Sequence, residues 1–170
     1  KSNIGKIIKL SSNENPYGPS KKAIKILSSC HSGLNRYPDS SGLLLRKKIS
    51  EVYSVKVENV ILGSGSEGIM SAIIRTFLNN EDEIIGSENS FIGFRVLANA
   101  SGRKINWVKP RKYHYDLKRI ANKININTKI IYLANPDNPT GTYFNKNDFE
   151  NFMKNVPERV LVILDEAYFE

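Results

Sequence analysis

From residue 60 to residue 164, short apolar runs alternate with segments whose apolar residues recur at helical spacing. The short runs, which predict strands, cover residues 60–62, 83–87, 104–108, 129–134 and 160–164. Since parallel strands need long crossover connections, usually helices, this alternation predicts an α/β domain with a mainly parallel sheet in a three-layer α/β/α arrangement. The run at 160–164 has no polar residue, and it predicts a strand that is buried on both faces.

Helices are predicted between these strands and before the first of them. Two precede the sheet, at about 20–29 and 43–53, and they follow a polar, turn-rich segment at 11–19 that predicts an extended arm. The other predicted helices run from the glycine-rich segment after residue 62 to Leu78, and over about 91–100, 116–124 and 146–155.

The composition is that of an ordinary globular protein, with 40% hydrophobic and 25% charged residues. No apolar run approaches the roughly 20 residues that span a bilayer, and residues 1–10 lack the pattern of a signal peptide. The net charge of +8 comes from lysines scattered along the chain, which favours a compositional bias over a surface for nucleic acid. The single cysteine, Cys30, excludes an internal disulfide framework and fits a reducing compartment such as the cytoplasm.

Three polar segments follow predicted strands, at the strand ends where open α/β sheets bind their ligands. The first, GSGSEG at 63–68, opens a helix. Its glycines allow close backbone approach, and the free N–H groups of the helix start attract an anion. The segment also matches the G-x-G-x-x-G pattern of dinucleotide-binding folds, with Glu88 as a candidate ribose-binding acid. A structural turn, a phosphate site and a dinucleotide site all remain open for this segment.

The second and third segments carry candidate polar contacts of their own. In NPDNPTG at 135–141, two prolines and a glycine specify an elaborate turn, in which X-Pro bonds can be cis and the Asn138 amide can be held over the sheet edge. DEAY at 165–168 follows the last predicted strand. Taken alone, Asp165 could be a cap, a metal ligand or a cofactor contact. We expect no metal, because neither His31 nor His114 has a ligand spacing.

Together these motifs resemble those of the pyridoxal-phosphate (PLP) dependent aminotransferases of class I/II, which share the aspartate-aminotransferase fold. They are most similar to those of its histidinol-phosphate branch. The resemblance extends in order along the chain and includes SNENPYGP at 12–19 and NRYPD at 35–39. It implies the large domain of such an enzyme over residues 31–170, incomplete at its C-terminus, with the arm and first helix at 1–30 joining a small domain. It also implies a homodimer with shared active sites.

The resemblance assigns roles around the cofactor ring. Asp165 would hydrogen-bond and charge-pair with the pyridine nitrogen, which makes the ring an electron sink. Asn138 and Tyr168 would hydrogen-bond the ring oxygen O3′, and with Asp165 they are the predicted catalytic residues. Phe91 would stack on the ring face.

The other implied contacts concern the cofactor phosphate and the substrate. The predicted phosphate contacts are the backbone N–H groups of Ser66 and Glu67 and the Ser66 hydroxyl, and Gly65 is a further predicted cofactor-binding residue. Tyr37 would reach the phosphate of the neighbouring subunit's cofactor. Tyr17 and Asn15 are the predicted substrate contacts, and Tyr17 would approach the neighbour's substrate.

The chain departs from the family pattern at two motif positions and lacks one motif. Glu67 stands where Asp is usual, and Asp137 stands where a second Asn is common. The lysine that binds the cofactor aldehyde would follow Asp165 in a Ser-x-Ser-Lys-like segment, as would arginines for the cofactor phosphate and the substrate carboxylate. Every lysine in this sequence precedes Asp165. We therefore expect the chain to be part of a longer enzyme and to be inactive alone.

The reaction that the resemblance implies is amino transfer between histidinol phosphate and 2-oxoglutarate, in histidine biosynthesis. Transfer from aromatic or other amino acids and threonine-phosphate decarboxylation are alternatives within the same fold. Two alternatives come from other classes, a non-catalytic module that binds phosphate or PLP and a dinucleotide-dependent oxidoreductase. The oxidoreductase gives the segments at 135–141 and 165–168 no role.

Overall fold

The computed structural model describes residues 7–170, which form two compact units. One unit ends at Val57, and the other covers Glu58–Glu170. The boundary that we predict between residues 30 and 31 stays a prediction, because it concerns the domain that the first helix joins.

The described part of the unit that ends at Val57 contains two α-helices, as predicted, and a short 3-10 helix at Cys30–Gly33. Helix α1 (Lys21–Leu27) begins after Ser20, whose hydroxyl accepts the N–H of Ala23 and so caps the first turn. Helix α2 covers Leu43–Tyr53, the predicted range. None of the residues in either helix is buried.

The second unit alternates helices and strands, and four of the five predicted strands are confirmed to within a residue at each end. In chain order the elements are α3 (Gly65–Phe77), β1 (Glu83–Ser87), α4 (Ile92–Ala100), β2 (Lys104–Val108), α5 (Leu117–Ala121), β3 (Thr128–Ala134), α6 (Lys146–Met153) and β4 (Leu161–Asp165). The strands form one parallel sheet in the order β2-β1-β3-β4. None of the helices formed by residues 7–170 combines the length and the apolar content that crossing a membrane requires.

The sheet separates two apolar layers. On one face, Ile84, Ile130 and Tyr132 pack with Met70 of α3 and Phe94 of α4. The opposite face packs against α5 and α6, and its buried residues include Ile85, Ile131, Leu133, Ile120 and Phe152. Because successive side chains point to opposite faces of a strand, β1 and β3 contribute to both layers. The predicted α/β class with three layers is confirmed.

The predicted strand at 60–62 is wrong. Val60 is buried, but Ile61 is 80% exposed, and the segment has no regular secondary structure. A strand needs a hydrogen-bonded neighbour, and within residues 7–170 none of the strands of the sheet pairs with this segment.

The predicted burial of the last strand on both faces is also wrong. Strand β4 lies at an edge of the sheet that residues 7–170 form, with β3 as its one neighbour there. Ile163 is the buried residue of this strand, whereas Leu161, Val162 and Leu164 are partly exposed. An apolar run predicts a strand without specifying its place in the sheet.

The parallel arrangement brings the polar segments to one edge of the sheet. Strand β3 ends at Ala134, directly opposite Asp165 at the end of β4. The Asn135 N–H extends the ladder by donating to the Asp165 carbonyl over 2.9 Å. The residues that follow β3 and β4 therefore start from adjacent positions.

Candidate active site

A cavity of about 350 Å³ lies at the carboxyl edge of the sheet, within the second unit. Its walls come from the start of α3, the turn before α4, the loop after β3 and the end of β4. The lining residues are Ser64, Gly65, Ser66, Glu67, Phe91, Ala134, Pro136, Asn138, Asp165, Ala167 and Tyr168. The structure thus brings together every residue of this unit that we predict to bind the cofactor.

Asp165 is fixed at the floor of the cavity by two uncharged donors. The Tyr132 hydroxyl donates to Oδ2 over 2.8 Å, and the Ala167 N–H donates to Oδ1 over 3.2 Å. The carboxylate is partly exposed and is in none of the ion pairs found among residues 7–170. Within those residues there is also no group of three or more potential metal ligands. The arrangement leaves a negative charge of fixed orientation facing the cavity.

Tyr132 is a site residue that the sequence reasoning missed. Its ring is 1% exposed and stacks on Phe94, with 3.9 Å between the ring centroids and 7° between the planes. Burial, followed by the charge of Asp165, raises the pKa of the Tyr132 hydroxyl above its usual range, so the group keeps its proton and acts as a donor. The available signal was a tyrosine within an aliphatic strand, because a buried tyrosine hydroxyl normally has a polar partner.

The Asn138 amide and the Tyr168 hydroxyl lie next to each other in the lining of the cavity. Nδ2 of Asn138 lies 3.5 Å from Oη of Tyr168, which is a long hydrogen bond. Both groups can donate to an acceptor placed between them. This is the pair that we predict to bind the ring oxygen O3′.

The loop at 135–141 is held at both ends. The Asn135 side chain donates to the Phe144 carbonyl over 3.1 Å and accepts the Phe144 N–H over 2.9 Å. Both X-Pro peptide bonds of the motif, Asn135–Pro136 and Asn138–Pro139, are cis, which confirms the prediction that such bonds can be cis in this turn. Gly141 closes the turn with a φ of 68°, which favours glycine.

The opposite wall of the cavity is the start of α3. Gly65 begins the helix with a φ of 67°, and its N–H donates to the Gly63 carbonyl over 2.9 Å. The next N–H groups, at Ser66 and Glu67, belong to the first turn, where helical geometry supplies no acceptor, so they are available to an anion. This is the predicted phosphate position.

Gly93 is a second feature that the sequence reasoning missed. A Cβ atom at this position would overlap the Glu67 carboxylate and the Phe91 ring. Gly93 therefore lets the Glu67 side chain and the Phe91 ring pack against the first turn of α4. No local pattern marks this requirement, because it arises from contact between α3 and α4.

The other predicted contacts belong to the unit that ends at Val57. Asn15 organises a turn by accepting the Tyr17 N–H over 3.0 Å and donating to the Gly18 carbonyl over 3.3 Å. The side chains of Tyr17 and Tyr37 are almost fully exposed. The predicted roles of Asn15, Tyr17 and Tyr37 toward substrate and a neighbouring subunit stay predictions.

The fold and this cavity are typical of an α/β enzyme with a phosphate-bearing cofactor. The family model for aminotransferase class I and II matches residues 5–170, and the chain belongs to that family. The dinucleotide interpretation of residues 63–68 is therefore wrong, and Glu88 lines a different hollow, on the side of Asp137 and Thr140.

The curated relatives are similar along nearly the whole chain. Histidinol-phosphate aminotransferase 1 of Idiomarina loihiensis is 37% identical over 96% of this chain and 45% of its own length. Histidinol-phosphate aminotransferase 2 of Hydrogenovibrio crunogenus is 39% identical over 99% of this chain and 45% of its own length. The chain spans about half the length of the curated relatives it matches.

Solved structures show the same fold. Histidinol-phosphate aminotransferase from Sinorhizobium meliloti, in complex with pyridoxal-5′-phosphate, has a TM-score of 0.88 at 23% identity and covers 93% of this chain and 43% of its own. The histidinol-phosphate aminotransferase from Clostridium acetobutylicum has a TM-score of 0.82 at 27% identity, over 94% of this chain and 46% of its own.

Proposed function

We propose that this chain holds the ring and phosphate of PLP in an aminotransferase whose amino donor is histidinol phosphate and whose acceptor is 2-oxoglutarate. The observation that carries the proposal is the single cavity shared by Asp165, the Asn138–Tyr168 pair, Phe91 and the start of α3. The choice of donor is supported by relatives named histidinol-phosphate aminotransferase at 37% and 39% identity.

The side chains present fit this cofactor. Its cationic ring nitrogen requires an anion, which Asp165 provides, and its anionic oxygen requires donors, which Asn138 and Tyr168 provide. Its flat ring fits the aromatic side chain of Phe91, and its phosphate fits the amino end of a helix, as at α3. The four kinds of group line one cavity.

PLP, when bound, supplies a conjugated ring that withdraws electrons from the substrate Cα. The protein's part is to orient that ring and keep its nitrogen protonated. Asp165 would accept the N–H of the ring nitrogen, and the Tyr132 hydroxyl and the Ala167 N–H hold the carboxylate in its orientation. Asn138 and Tyr168 would donate to O3′ and so stabilise its negative charge.

Proton transfer at the substrate requires a group beside the ring that can act as a base, and the resemblance assigns this role to a lysine. Among the described residues, no lysine lines the cavity. We therefore assign to this chain the binding and orientation of the cofactor, and not the proton transfer.

We also propose that the protein is a homodimer in the cytoplasm, in which Tyr37 contacts the neighbour's cofactor phosphate and Tyr17 the neighbour's substrate. The exposure of both tyrosines, and the lack of any buried residue in α1 and α2, supports contacts with a second subunit. The lone Cys30 fits a reducing compartment. A monomer in sedimentation at micromolar concentration would contradict the dimer.

The experiment that tests the proposed function has a binding arm and a reaction arm. PLP is titrated into the protein at its natural length, with pyridoxal, which lacks the phosphate, as the control. We expect saturable binding of PLP and at least tenfold weaker binding of pyridoxal. Glutamate formation from 2-oxoglutarate is then compared with histidinol phosphate and with an aromatic amino acid as donors, and we expect the higher rate with histidinol phosphate.

Each failure of this experiment has a distinct meaning. PLP binding without glutamate formation from any donor would favour a non-catalytic binding module. Faster transfer from the aromatic amino acid would contradict histidinol phosphate as the donor, but it would leave the proposed aminotransferase reaction in place. Absence of PLP binding would overturn the proposal.

A further inference from the structure

A buried carboxylate directly precedes Asn138 of the cavity, and the proposed function gives it no role. Asp137 is 6% exposed and belongs to the loop at 135–141. We propose that Asp137 is a positioning residue, which keeps Asn138 and Phe91 in place against the cofactor ring. The inference rests on the proposed function, because it concerns the same cavity.

Both oxygens of Asp137 accept hydrogen bonds from hydroxyl groups. Ser90 donates to Oδ1 over 2.6 Å, and the Tyr115 hydroxyl lies 3.2 Å from the same oxygen. Thr140 donates to Oδ2 over 2.8 Å. A carboxylate accepts only, so hydroxyls from three segments of the chain converge on one side chain.

The number of hydroxyl protons limits the directions that the hydrogen bonds among Ser90, Tyr115 and Asp137 can take. Ser90 and Tyr115 have one proton each, and their oxygens lie 2.6 Å apart. Because Ser90 donates to Asp137, the Tyr115 proton is left for Ser90 or for the same Asp137 oxygen. The Tyr115 oxygen accepts the Ala134 N–H over 2.9 Å. Burial raises the pKa of Tyr115 above its usual range, so this hydroxyl keeps its proton. The result is a connected chain of hydrogen bonds that includes Ala134, Tyr115, Ser90 and Asp137.

This chain of hydrogen bonds joins the parts of the cavity that face the ring. Ser90 directly precedes Phe91, the predicted stacking residue, and Asp137 directly precedes Asn138. Ala134 lines the cavity at the end of β3. Without the carboxylate, Ser90 loses its acceptor and the turn that carries Phe91 loses its link to the loop that carries Asn138.

Glu83 provides a matched control for this role. It is also a buried carboxylate, 5% exposed, that accepts from three side chains, and it lies at the opposite edge of the sheet. A purely structural role for Asp137 predicts that Asp137→Ala and Glu83→Ala have equivalent effects once both proteins are folded. A positioning role predicts that the Asp137 variant alone alters the cofactor.

The experiment uses the protein at its natural length, well below its unfolding temperature. PLP affinity and the circular dichroism of the bound PLP, which reports the orientation of the ring, are measured for Asp137→Ala, Asp137→Asn and Glu83→Ala. We expect at least tenfold weaker PLP binding and a loss of the ring signal in Asp137→Ala, and less than a threefold change in Glu83→Ala. The amide in Asp137→Asn has the shape to keep the Ser90 bond, so this variant should regain most of the affinity and the signal.

A competition measurement with inorganic phosphate distinguishes an effect on the PLP ring from an effect on the phosphate site. Inorganic phosphate, measured as a competitor of PLP, should inhibit the wild type and Asp137→Ala with the same constant, since the start of α3 is untouched. If Asp137→Ala fails to fold, Ser90→Ala replaces it, with an expected loss of PLP affinity of at least fivefold. Equal behaviour of the folded Asp137 or Ser90 variant and Glu83→Ala would overturn the inference. Absence of PLP binding to the wild type would instead contradict the proposed function.

Discussion

The two edges of the sheet both bury a carboxylate, but they balance its charge differently. At the amino edge, Glu83 pairs with the Lys104 ammonium over 2.6 Å and accepts from the amides of Asn106 and Asn125 over 2.7 and 2.8 Å. At the carboxyl edge, the donors to Asp137 and Asp165 are uncharged hydroxyl and N–H groups.

The difference lies in what each edge can offer to a ligand. Lys104 neutralises the negative charge of Glu83 within the protein, so the Glu83 charge at the amino edge needs no cationic ligand. At the carboxyl edge, neutral donors fix the orientation of Asp165 and leave its charge for a cation from outside. We infer that the first arrangement supports the fold and the second is suited to the protonated ring nitrogen of PLP.

The largest expected effect is that of Asp165→Ala. Loss of the carboxylate that we propose to face the ring nitrogen should slow glutamate formation by about a hundredfold to a thousandfold, as for other preorganised electrostatic groups. Initial rates at saturating PLP measure the effect, with Glu83→Gln as the control at the other edge. A rate reduction of less than tenfold in Asp165→Ala would contradict the inference that the carboxyl edge, unlike the amino edge, leaves its charge for the cofactor.

The next effect is on stability, at the amino edge. Glu83→Ala leaves the Asn106 and Asn125 amides without their acceptor and should lower the free energy of unfolding by about 2 kcal/mol. Urea unfolding measures the loss, and PLP affinity of the folded variant should match that of the wild type. Weaker PLP binding by this variant would show that the two edges are coupled.

A smaller effect is expected from Tyr132→Phe. The substitution keeps the ring that stacks on Phe94 and removes only the hydroxyl that donates to Asp165. We expect about tenfold weaker PLP binding and a stability loss of about 1 kcal/mol. Unchanged affinity would mean that the Ala167 N–H alone positions the carboxylate.

The smallest effect is the pH dependence that Glu83 contributes. Hydrogen bonds from Lys104 and Asn125, in that order, lower the pKa of Glu83 from 4.5 to about 2. A carboxyl with a lowered pKa in the folded state stabilises the protein above pH 4.5, and that contribution is lost as the pH falls toward 2. Because Lys104 is largely exposed, we expect about 1 kcal/mol. The free energies of unfolding of the wild type and Glu83→Gln should converge as the pH falls from 4.5 toward 2. A difference that stays constant over this range would contradict the lowered pKa of Glu83.

The sequence predicts the parts of this molecule that are encoded locally. The alternation of elements predicts four strands and the layers, and the segments at 135–141 and 165–168 predict where the cavity lies. The segment at 60–62 and the edge position of β4 are mispredicted because pairing depends on neighbours that an apolar run does not specify.

The hydrogen bonds that orient the site could not be predicted in the same way. The sequence shows Asp137 as a departure from the family pattern, but the positioning role that we propose for it depends on Ser90, which is 47 positions away. Tyr132 and Asp165 are 33 positions apart and meet only because β3 and β4 are adjacent. Such contacts follow from the fold, and a buried tyrosine within or beside a strand is the one local sign of them.

The central claim is that the carboxyl edge of the sheet receives the PLP ring through Asp165. A crystal structure of the natural-length protein grown with PLP tests it most directly. We predict the ring nitrogen within hydrogen-bond distance of the Asp165 carboxylate, the phosphate at the first turn of α3 and O3′ between Asn138 and Tyr168. PLP bound elsewhere, or with its ring nitrogen directed away from Asp165, would contradict the account.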